Sequence, residues 1–236
     1  MQITTDAVRS NTTPVESGSE FFSKLSAEAL KDLLSLEHPT SYPASMILFS
    51  EKETTQGAFV VLQGEVKLSI NSSDGRRLIL RIAKKGDILG LDSVISGEPS
   101  EMTAETLYPC RIAVISRHNF LGFMVRHPQA YRIVTEELGR QIGMACAQLR
   151  SVALSSSAPE KLARLLLDFS RDGQTTATGV RIRFSLTHEE IGEFIGASRE
   201  TVTRTLSIFK TRRLVDFRGS TLTIPNKTAL ASYAGC

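Results

Sequence analysis

The spacing of apolar residues changes once along this chain, from a period of two to a helical period, and this change most constrains the fold. From about Ser45 to Ser116 apolar residues alternate in short runs, among them Val66–Ile70 and Leu78–Ile82. Glycines separate the runs, and Asp74–Gly75 is typical of a tight turn because glycine tolerates positive φ. Many short strands divided by turns predict an antiparallel sandwich or roll.

The second pattern is helical and starts after Pro128, a residue that suits the first turn of a helix. Successive apolar residues are three or four positions apart, as in the seam of a coiled coil. They are Tyr131, Val134, Leu138, Ile142, Ala145, Leu149 and Val152. The small residues Gly143 and Ala147 on the same stretch would let a partner helix approach closely. We therefore expect a homodimer through this helix, the alternative being a helix packed on its own domain's core.

Two short helices joined by a turn are predicted near the C-terminal end. Thr187 and Glu190 have the spacing of a capping box, in which each side chain bonds the backbone N–H of the other. Gly196 permits the turn, and Ser198 can cap the second helix. That helix has one apolar stripe, formed by Val202, Leu206 and Phe209. Helix, short turn and helix together predict a helix-turn-helix.

The side chains exposed at the start of the second helix decide what this motif can bind. They are Arg199, Glu200, Thr203 and Arg204. In a major groove, arginine matches guanine, glutamate accepts from cytosine, and threonine donates to a base or touches a thymine methyl group. Groups placed to reach DNA phosphates are Thr187, Ser198, Thr201, Lys210 and Arg218, the last on a predicted wing of two strands. The alternative is an ordinary charged surface helix.

Charge is divided unevenly along the chain. Residues 1–158 carry 16 Lys and Arg against 17 Asp and Glu, whereas residues 159–236 carry 12 against 8. The positive excess in the last third suits contact with a polyanion. No apolar run reaches the ~18 residues that a membrane span needs, and residues 1–20 predict a polar tail rather than a secretion signal. A cytoplasmic protein is expected, with unpaired thiols at Cys110, Cys146 and Cys236.

The predicted motif at residues 186–209, LTHEEIGEFIGASRETVTRTLSIF, resembles the helix-turn-helix of the catabolite-activator/FNR (CRP/FNR) superfamily of bacterial transcription regulators. Lys85–Gly90 is similar to the effector-domain signature of that family, and about residues 20–230 are covered. The resemblance implies an α+β fold with an N-terminal antiparallel β-roll of the cyclic-nucleotide-binding type, a long dimerisation helix and a C-terminal winged helix-turn-helix. The implied boundaries are 21–126 for the roll, 127–154 for the helix, 155–159 for a hinge and 160–236 for the DNA-binding domain.

The resemblance also implies a mode of action. Arg199, Glu200 and Arg204 match the family's base-reading positions, which implies an inverted repeat with half-sites resembling TGTGA. Thr203 lies where the FNR-type branch has a small hydroxyl, so the central base of the half-site stays open. The segment Arg171–Gly179 matches a loop through which the family often contacts RNA polymerase.

The residues expected around an effector depart from the pattern of the family's cyclic-nucleotide binders. By resemblance the pocket comprises Gly90, Leu91, Met102, Thr103 and Cys146. Leu91 stands where those binders have a glutamate, and Ser100–Glu101 replaces their Arg-Ser pair. A cyclic phosphate would therefore meet a carboxylate and no cation, which leaves its desolvation uncompensated. Cyclic AMP is not expected.

Other cofactors are limited by the ligands available. Iron–sulfur members of the family take cysteines from an N-terminal extension, but residues 1–45 contain none, and three cysteines cannot supply four thiolates. Haem needs an axial ligand, for which His38, His118, His127 and Cys110 are candidates, so haem stays open beside an unidentified small effector or none. No catalytic spacing is present, so an enzyme is not expected. The alternative to a DNA-binding regulator is a small-molecule or haem-binding sensor acting mainly through protein contacts.

Overall fold

The computed structural model describes residues 20–154 and 157–234. The predicted tail up to residue 19, Ser155 and Ser156 of the predicted hinge, and Cys236 lie outside these ranges. The helices of the described residues are α1 (Glu20–Ser23), α2 (Ala27–Ser35), α3 (Leu91–Ser96), α4 (Arg117–Arg126), α5 (Gln129–Leu154), α6 (Ala158–Phe169), α7 (His188–Ile195), α8 (Arg199–Thr211) and α9 (Lys227–Ala231). The strands are β1 (His38–Tyr42), β2 (Ile47–Phe49), β3 (Gly57–Gln63), β4 (Val66–Asn71), β5 (Arg77–Ala83), β6 (Ile88–Leu89), β7 (Thr103–Thr106), β8 (Cys110–Ser116), β9 (Gln174–Thr176), β10 (Gly179–Arg183), β11 (Asp216–Arg218) and β12 (Thr221–Ile224).

The first eight strands form the two antiparallel sheets of a roll. One sheet has the order β1-β8-β3-β6 and the other β2-β7-β4-β5. Alternate side chains of both sheets meet in one core, which includes Phe49, Phe59, Val61, Val66, Leu68, Leu89 and Ile112. The hairpin between β4 and β5 turns at the predicted Asp74–Gly75, where Gly75 has a φ of 81°. The predicted β-roll is therefore confirmed.

Helices cover the outer face of the first sheet and form a second core there. Apolar residues of α1, α2, α3, α4 and the start of α5 pack with side chains of β3 and β8. Its deeply buried large members include Leu33, Ile115, Phe120, Phe123 and Ile133. Because this core includes Ile133 and Val134, the first turns of the long helix belong to the roll rather than to a free surface.

The long helix α5 spans 26 residues, and its apolar residues divide between two faces. Val134 is only 2% exposed and packs in the roll's own core, and Val152 lies against Gly196, since an added Cβ there would sit 2.9 Å from its Cγ1. Val134 therefore faces its own chain, which corrects its assignment to a dimer seam, whereas the place of half-buried Val152 in that seam stays a prediction. Ile142 is 64% exposed, Tyr131 and Leu149 are each 49% exposed, and Leu138 and Ala145 are half-buried. The outward apolar stripe is thus narrower than the predicted seam.

The C-terminal residues form a winged helix-turn-helix. A sheet of order β11-β12-β10-β9 supports α6, α7 and α8, and β11 with β12 forms the wing. Within the segment Arg171–Gly179, residues Gln174–Thr176 form β9, which pairs with β10. Thr176 donates a hydrogen bond from Oγ1 to the carbonyl oxygen of Gly179 at 2.8 Å, so a threonine-rich turn closes this hairpin. In the described ranges, no helix has the length and apolar character required to cross a bilayer.

Candidate DNA-binding surface and effector region

The turn between α7 and α8 is built by two glycines. Gly196 ends α7 with a φ of 64°, a conformation that side chains with a Cβ adopt rarely. A Cβ on Gly192 would lie 2.5 Å from the carbonyl oxygen of Ala197, so only glycine allows the turn to fold back this closely. The N–H of Ala197 donates to the carbonyl of Gly192 at 3.0 Å. The two helices are therefore fixed relative to each other.

Side-chain caps define where each helix of the motif begins. The hydroxyl of Thr187 accepts from the N–H of Glu190, and the carboxylate of Glu190 accepts from the N–H of Thr187 at 2.9 Å, which completes the predicted capping box. Ser198 Oγ accepts from the N–H of Thr201 at 3.2 Å and begins α8. The hydroxyls of Thr187 and Ser198 therefore act as helix caps. Contacts of these residues with DNA phosphates stay a prediction, in which the N-terminal ends of the helices would face the phosphates.

The helix α8 separates a buried face from an open one. Its buried side chains are Val202, Thr205, Leu206 and Phe209. Arg199, Glu200, Thr203 and Arg204 are all exposed on the opposite side of the first turns. Hydrogen bonds from its own backbone N–H and from Ser198 lower the pKa of Glu200, which keeps this carboxylate charged. Hydrogen-bond donors and acceptors are thus presented together at the start of α8. A major groove is wide enough to admit such a helix.

A histidine missed by the sequence analysis lies beside this surface. His188, the first residue of α7, places Nδ1 2.8 Å from Oγ1 of Thr203. The same hydroxyl donates to the carbonyl oxygen of Arg199 at 2.9 Å. His188 follows the cap residue Thr187, and that position could have indicated a side chain near the groove. The hydroxyl of Thr203 therefore already has two partners within the chain.

The predicted phosphate contacts on the wing side have partners of their own. Lys210 Nζ lies 5.0 Å from the centre of the Phe217 ring, and Arg218 Nε donates to Asp216 Oδ2 at 3.2 Å. Between α8 and the wing runs a groove of about 500 Å³, whose lining includes Leu186, His188, Lys210 and Gly219. Exposed pairs such as Arg218–Asp216 are weak, so both cations stay available to a polyanion.

The five residues predicted around an effector have different surroundings in the structure. Leu91 is fully buried among Val94 and Phe123 in the helix-covered core, whereas Met102 packs against the core inside the roll. Oγ1 of Thr103 accepts from the N–H of Glu51 at 3.1 Å, and Cys146 is exposed on α5. Gly90 ends the signature with a φ of 75° and begins α3. An effector pocket formed by these five residues therefore stays a prediction.

Charged groups instead link the signature segment to the long helix. Arg81 Nη1 donates to Asp87 Oδ2 at 2.9 Å. On the long helix, Arg140 Nη2 donates to Glu137 Oε1 at 2.6 Å, and the same atom lies 3.7 Å from Asp87 Oδ1. Gln141 Nε2 donates both to Glu137 Oε1 at 2.7 Å and to the carbonyl oxygen of Ile88 at 3.2 Å. Glu137 is buried within this cluster. Sequence patterns missed the cluster because they assign charged residues of a helix to its solvent face.

Two of the four candidate haem ligands, His127 and Cys110, have ordinary structural contacts. His127 Nε2 lies 2.9 Å from Asp32 Oδ2, and the Cys110 thiol donates to the carbonyl oxygens of Tyr108 and Glu65 at 3.1 and 3.3 Å. Burial raises the pKa of Cys110, so its thiol stays protonated. In the part of the chain that the structure describes, no three His, Cys, Asp or Glu residues are grouped as metal ligands would be.

Comparison with known proteins matches both parts of the chain. Residues 160–233 match the Crp-like helix-turn-helix domain, and residues 39–127 match the cyclic nucleotide-binding domain. A CRP-like cAMP-activated global transcriptional regulator of Mycobacterium tuberculosis (strain ATCC 25618 / H37Rv) is 26% identical over 214 residues, which are 90% of this chain and 95% of the relative. The cAMP-activated global transcriptional regulator CRP of Pasteurella multocida is 26% identical over 83% of this chain and 93% of its own length.

Solved structures share the fold. FixK2 from Bradyrhizobium japonicum superposes with a TM-score of 0.74 at 23% identity, over 84% of this chain and 96% of that one. The c-di-GMP responsive regulator CLP of Xanthomonas campestris gives 0.73 at 21% identity, over 85% and 100% of the two chains. The relatives are regulators rather than enzymes, as expected. With a roll, a long helix and a Crp-like helix-turn-helix in this order, the chain is a DNA-binding transcription regulator that belongs to the CRP/FNR family.

Proposed function

We propose that two copies of the chain bind an inverted repeat in double-stranded DNA whose half-sites resemble TGTGA. The observation that carries this proposal is the exposure and the ion pairing of two arginines on α8. Arg199 and Arg204 are exposed and form no ion pair with any described residue, although Arg81, Arg126 and Arg140 are all paired with carboxylates. Unpaired guanidinium groups at the start of a capped helix suit bidentate contacts with guanine O6 and N7.

The proposed roles of the reading residues follow from their chemistry. Arg199 and Arg204 each read a guanine, and Glu200 accepts from the amino group of a cytosine. Lys210 and Arg218 contact phosphates from the groove beside the wing, and the caps at Thr187 and Ser198, with Thr201, direct helix N-termini at the backbone. These phosphate contacts set the position of the protein on DNA without choosing its sequence.

The outward stripe of α5 supports a homodimer. Leu138, Ile142 and Leu149 lie at coiled-coil spacing, and Ile142 and Leu149 remain largely exposed in a single chain. Burial of such side chains against the same stripe of a second copy would stabilise a pair of parallel helices. A two-fold pair of reading helices in turn explains an inverted repeat. Tyr131 and Ala145 flank the stripe in this proposal.

We further propose that cyclic AMP is not the effector, although relatives of this chain are named as cAMP-activated. Ser100 and Glu101 occupy the segment where a cation would be needed, and the Ser100 hydroxyl is committed to the backbone of Met102 at 3.1 Å. An unidentified small molecule, haem or no ligand at all remains compatible with the chain. The exposed Arg171 and the segment that follows it are proposed to contact RNA polymerase in the cytoplasm.

The test is DNA binding by the purified chain. Fluorescence anisotropy should give specific affinity for a TGTGA inverted repeat at least ~10³-fold above that for a scrambled duplex, with strong salt dependence. Cyclic AMP should leave both affinities unchanged, and the absorption spectrum and the mass of released small molecules should identify any resident ligand. Equal binding to both duplexes would contradict the proposal and favour a sensor that acts through protein contacts.

A further inference from the structure

The roll and the DNA-binding unit share a packed surface between β4, β5 and α7. Ile79 of β5 is fully buried, and it belongs to the apolar core that contains Phe194 and Ile195 of α7. Ile82 and Leu107 of the roll pack on the same core. The first helix of the helix-turn-helix thus rests directly on one sheet of the roll.

A buried cation lies at this surface. The Lys67 side chain on β4 is 8% exposed, and its Nζ atom lies 2.9 Å from Glu190 Oε1 on α7 and 3.2 Å from Glu105 Oε1 on β7. Glu105 in turn pairs through Oε2 with Arg77 Nη1 at 3.0 Å. Burial alone would lower the pKa of Lys67, but the hydrogen bond and charge of Glu190 raise it. The ammonium group is therefore charged, and both carboxylates stabilise its charge.

Glu190 connects this cation to the reading helix. Its Oε1 atom accepts from Lys67, while its Oε2 atom accepts from the N–H of Thr187 at 2.9 Å in the capping box. One carboxylate therefore fixes both the start of α7 and the attachment of α7 to the roll. Since the turn at Gly192 and Gly196 joins α7 rigidly to α8, the position of Glu190 determines the position of the reading face.

A second contact ties the long helix to the same place. Gln148 Nε2 on α5 donates to the carbonyl oxygen of Ile79 at 2.9 Å and to that of Phe194 at 2.7 Å. The roll, α5 and α7 therefore meet around one amide. In this arrangement Arg199, Glu200, Thr203 and Arg204 all stay exposed, so docking on the roll leaves the reading face open to DNA.

We infer that Lys67 is a positioning residue for DNA recognition, because its ion pair with Glu190 holds the reading helix at a fixed orientation to the roll and the long helix. The inference rests on the proposed reading of an inverted repeat by a homodimer. Two rigidly held reading helices match only one separation of half-sites, whereas loosely held ones tolerate several. Lys67 should therefore control how strictly the dimer measures half-site spacing.

The experiment compares the full-length chain with Lys67→Met on two duplexes. One has the half-site spacing that the unmodified chain binds most tightly, called the natural spacing, and the other is lengthened by ~5 base pairs, half a helical turn. Methionine keeps most of the side-chain volume without the charge. We expect the unmodified chain to lose about 100-fold in affinity on lengthening, as when bivalent contact is lost. Lys67→Met should bind the natural spacing more weakly and lose less than about tenfold on lengthening.

Two further variants separate positioning from a general loss of stability. Lys84→Met removes the exposed cation that pairs with Asp172 across the same two units, and it should keep the full spacing preference because exposed pairs contribute little. Lys67→Arg keeps the charge and should restore the preference. The inference would be overturned if a folded Lys67→Met variant kept the full preference for one half-site spacing. It would also be overturned if Lys84→Met lost that preference to the same extent as Lys67→Met.

An independent measurement keeps the two proposals distinguishable. Hydrogen exchange of the amides in α7 and β5 reports their contact without DNA, and it should be faster in Lys67→Met than in Lys84→Met. If the unmodified chain binds the repeat no more tightly than a scrambled duplex, the proposed DNA site fails. Hydrogen exchange then tests the positioning role of Lys67 by itself. Unchanged exchange in a folded Lys67→Met variant would then overturn the positioning role.

Discussion

The imidazole of His188 and the hydroxyl of Thr203 are in hydrogen-bond contact, with Nδ1 and Oγ1 2.8 Å apart. Because Oγ1 also donates to the carbonyl of Arg199, the hydroxyl has no hydrogen left for a base. Thr203 can therefore offer a groove its methyl group and one remaining acceptor lone pair, but no donor. Of the two expected roles of Thr203, this relationship disfavours donation to a base and favours contact with a thymine methyl group.

The exchange of hydroxyl for methyl at position 203 tests this role. Thr203→Val keeps the methyl group and should change affinity for the preferred half-site less than about threefold. Thr203→Ser keeps only the hydroxyl and should cost about 0.8 kcal/mol, the contribution of one buried methyl group. Anisotropy with each of the four base pairs at the central position of the half-site measures both. Retained base preference in Thr203→Ser together with its loss in Thr203→Val would show that the hydroxyl reads the base.

Arg204 should contribute selectivity rather than general affinity. Arg204→Ala should cost roughly 1–3 kcal/mol of specific binding and relax selection at one base pair, since it removes one bidentate contact. The matched control is Arg218→Ala on the wing, which should weaken all duplexes alike and reduce the slope of affinity against salt by about one unit. Competition binding with duplexes changed at single positions distinguishes the two. Equal weakening of random DNA by Arg204→Ala would argue against base reading.

A charge on the outward stripe of α5 should separate the two copies. Ile142 is 64% exposed in a single chain. Ile142→Glu would place two carboxylates face to face in the proposed seam, and we expect monomers with poor affinity for the repeat. Arg150→Glu, on a neighbouring exposed face of the same helix, should remain dimeric. Light scattering after size-exclusion chromatography measures the mass, and a dimeric Ile142→Glu variant would remove the stripe from the interface.

The helix-turn-helix could be predicted in detail because its signals are local. The Thr187–Glu190 cap, the glycine at 196 and the Ser198 cap act over three or four residues, and each forms in the structure as expected. The long helix was predicted as one seam because a period of three and four residues does not tell which side of a helix is covered. Val134 and Ile142 have the same pattern, but the roll's own core covers only Val134.

Long-range polar contacts could not be predicted in this way. Lys67 and Glu190 are 123 positions apart, and nothing near either residue indicates that the two side chains meet. Glu137 likewise has the sequence context of an exposed helical residue, but tertiary packing buries it between Arg140 and Gln141. Residues that connect the sensor to the DNA-binding unit were therefore found only in the folded chain.

Glu37 should make the stability of the roll depend on pH. Burial raises the pKa of its carboxyl group to about 7, and Oε1 has no hydrogen-bond partner among the described residues. The folded state thus binds this proton more tightly than the unfolded state, so the stabilisation is present below the unfolded pKa of about 4.3 and is lost as pH rises through about 7. Glu37→Gln mimics the protonated form, and its melting temperature should exceed that of the unmodified chain slightly near pH ~5 and clearly near pH ~8. The control Glu28→Gln changes an exposed glutamate of α2. If the difference in melting temperature between Glu37→Gln and the unmodified chain stayed constant with pH, it would contradict the burial of the Glu37 charge.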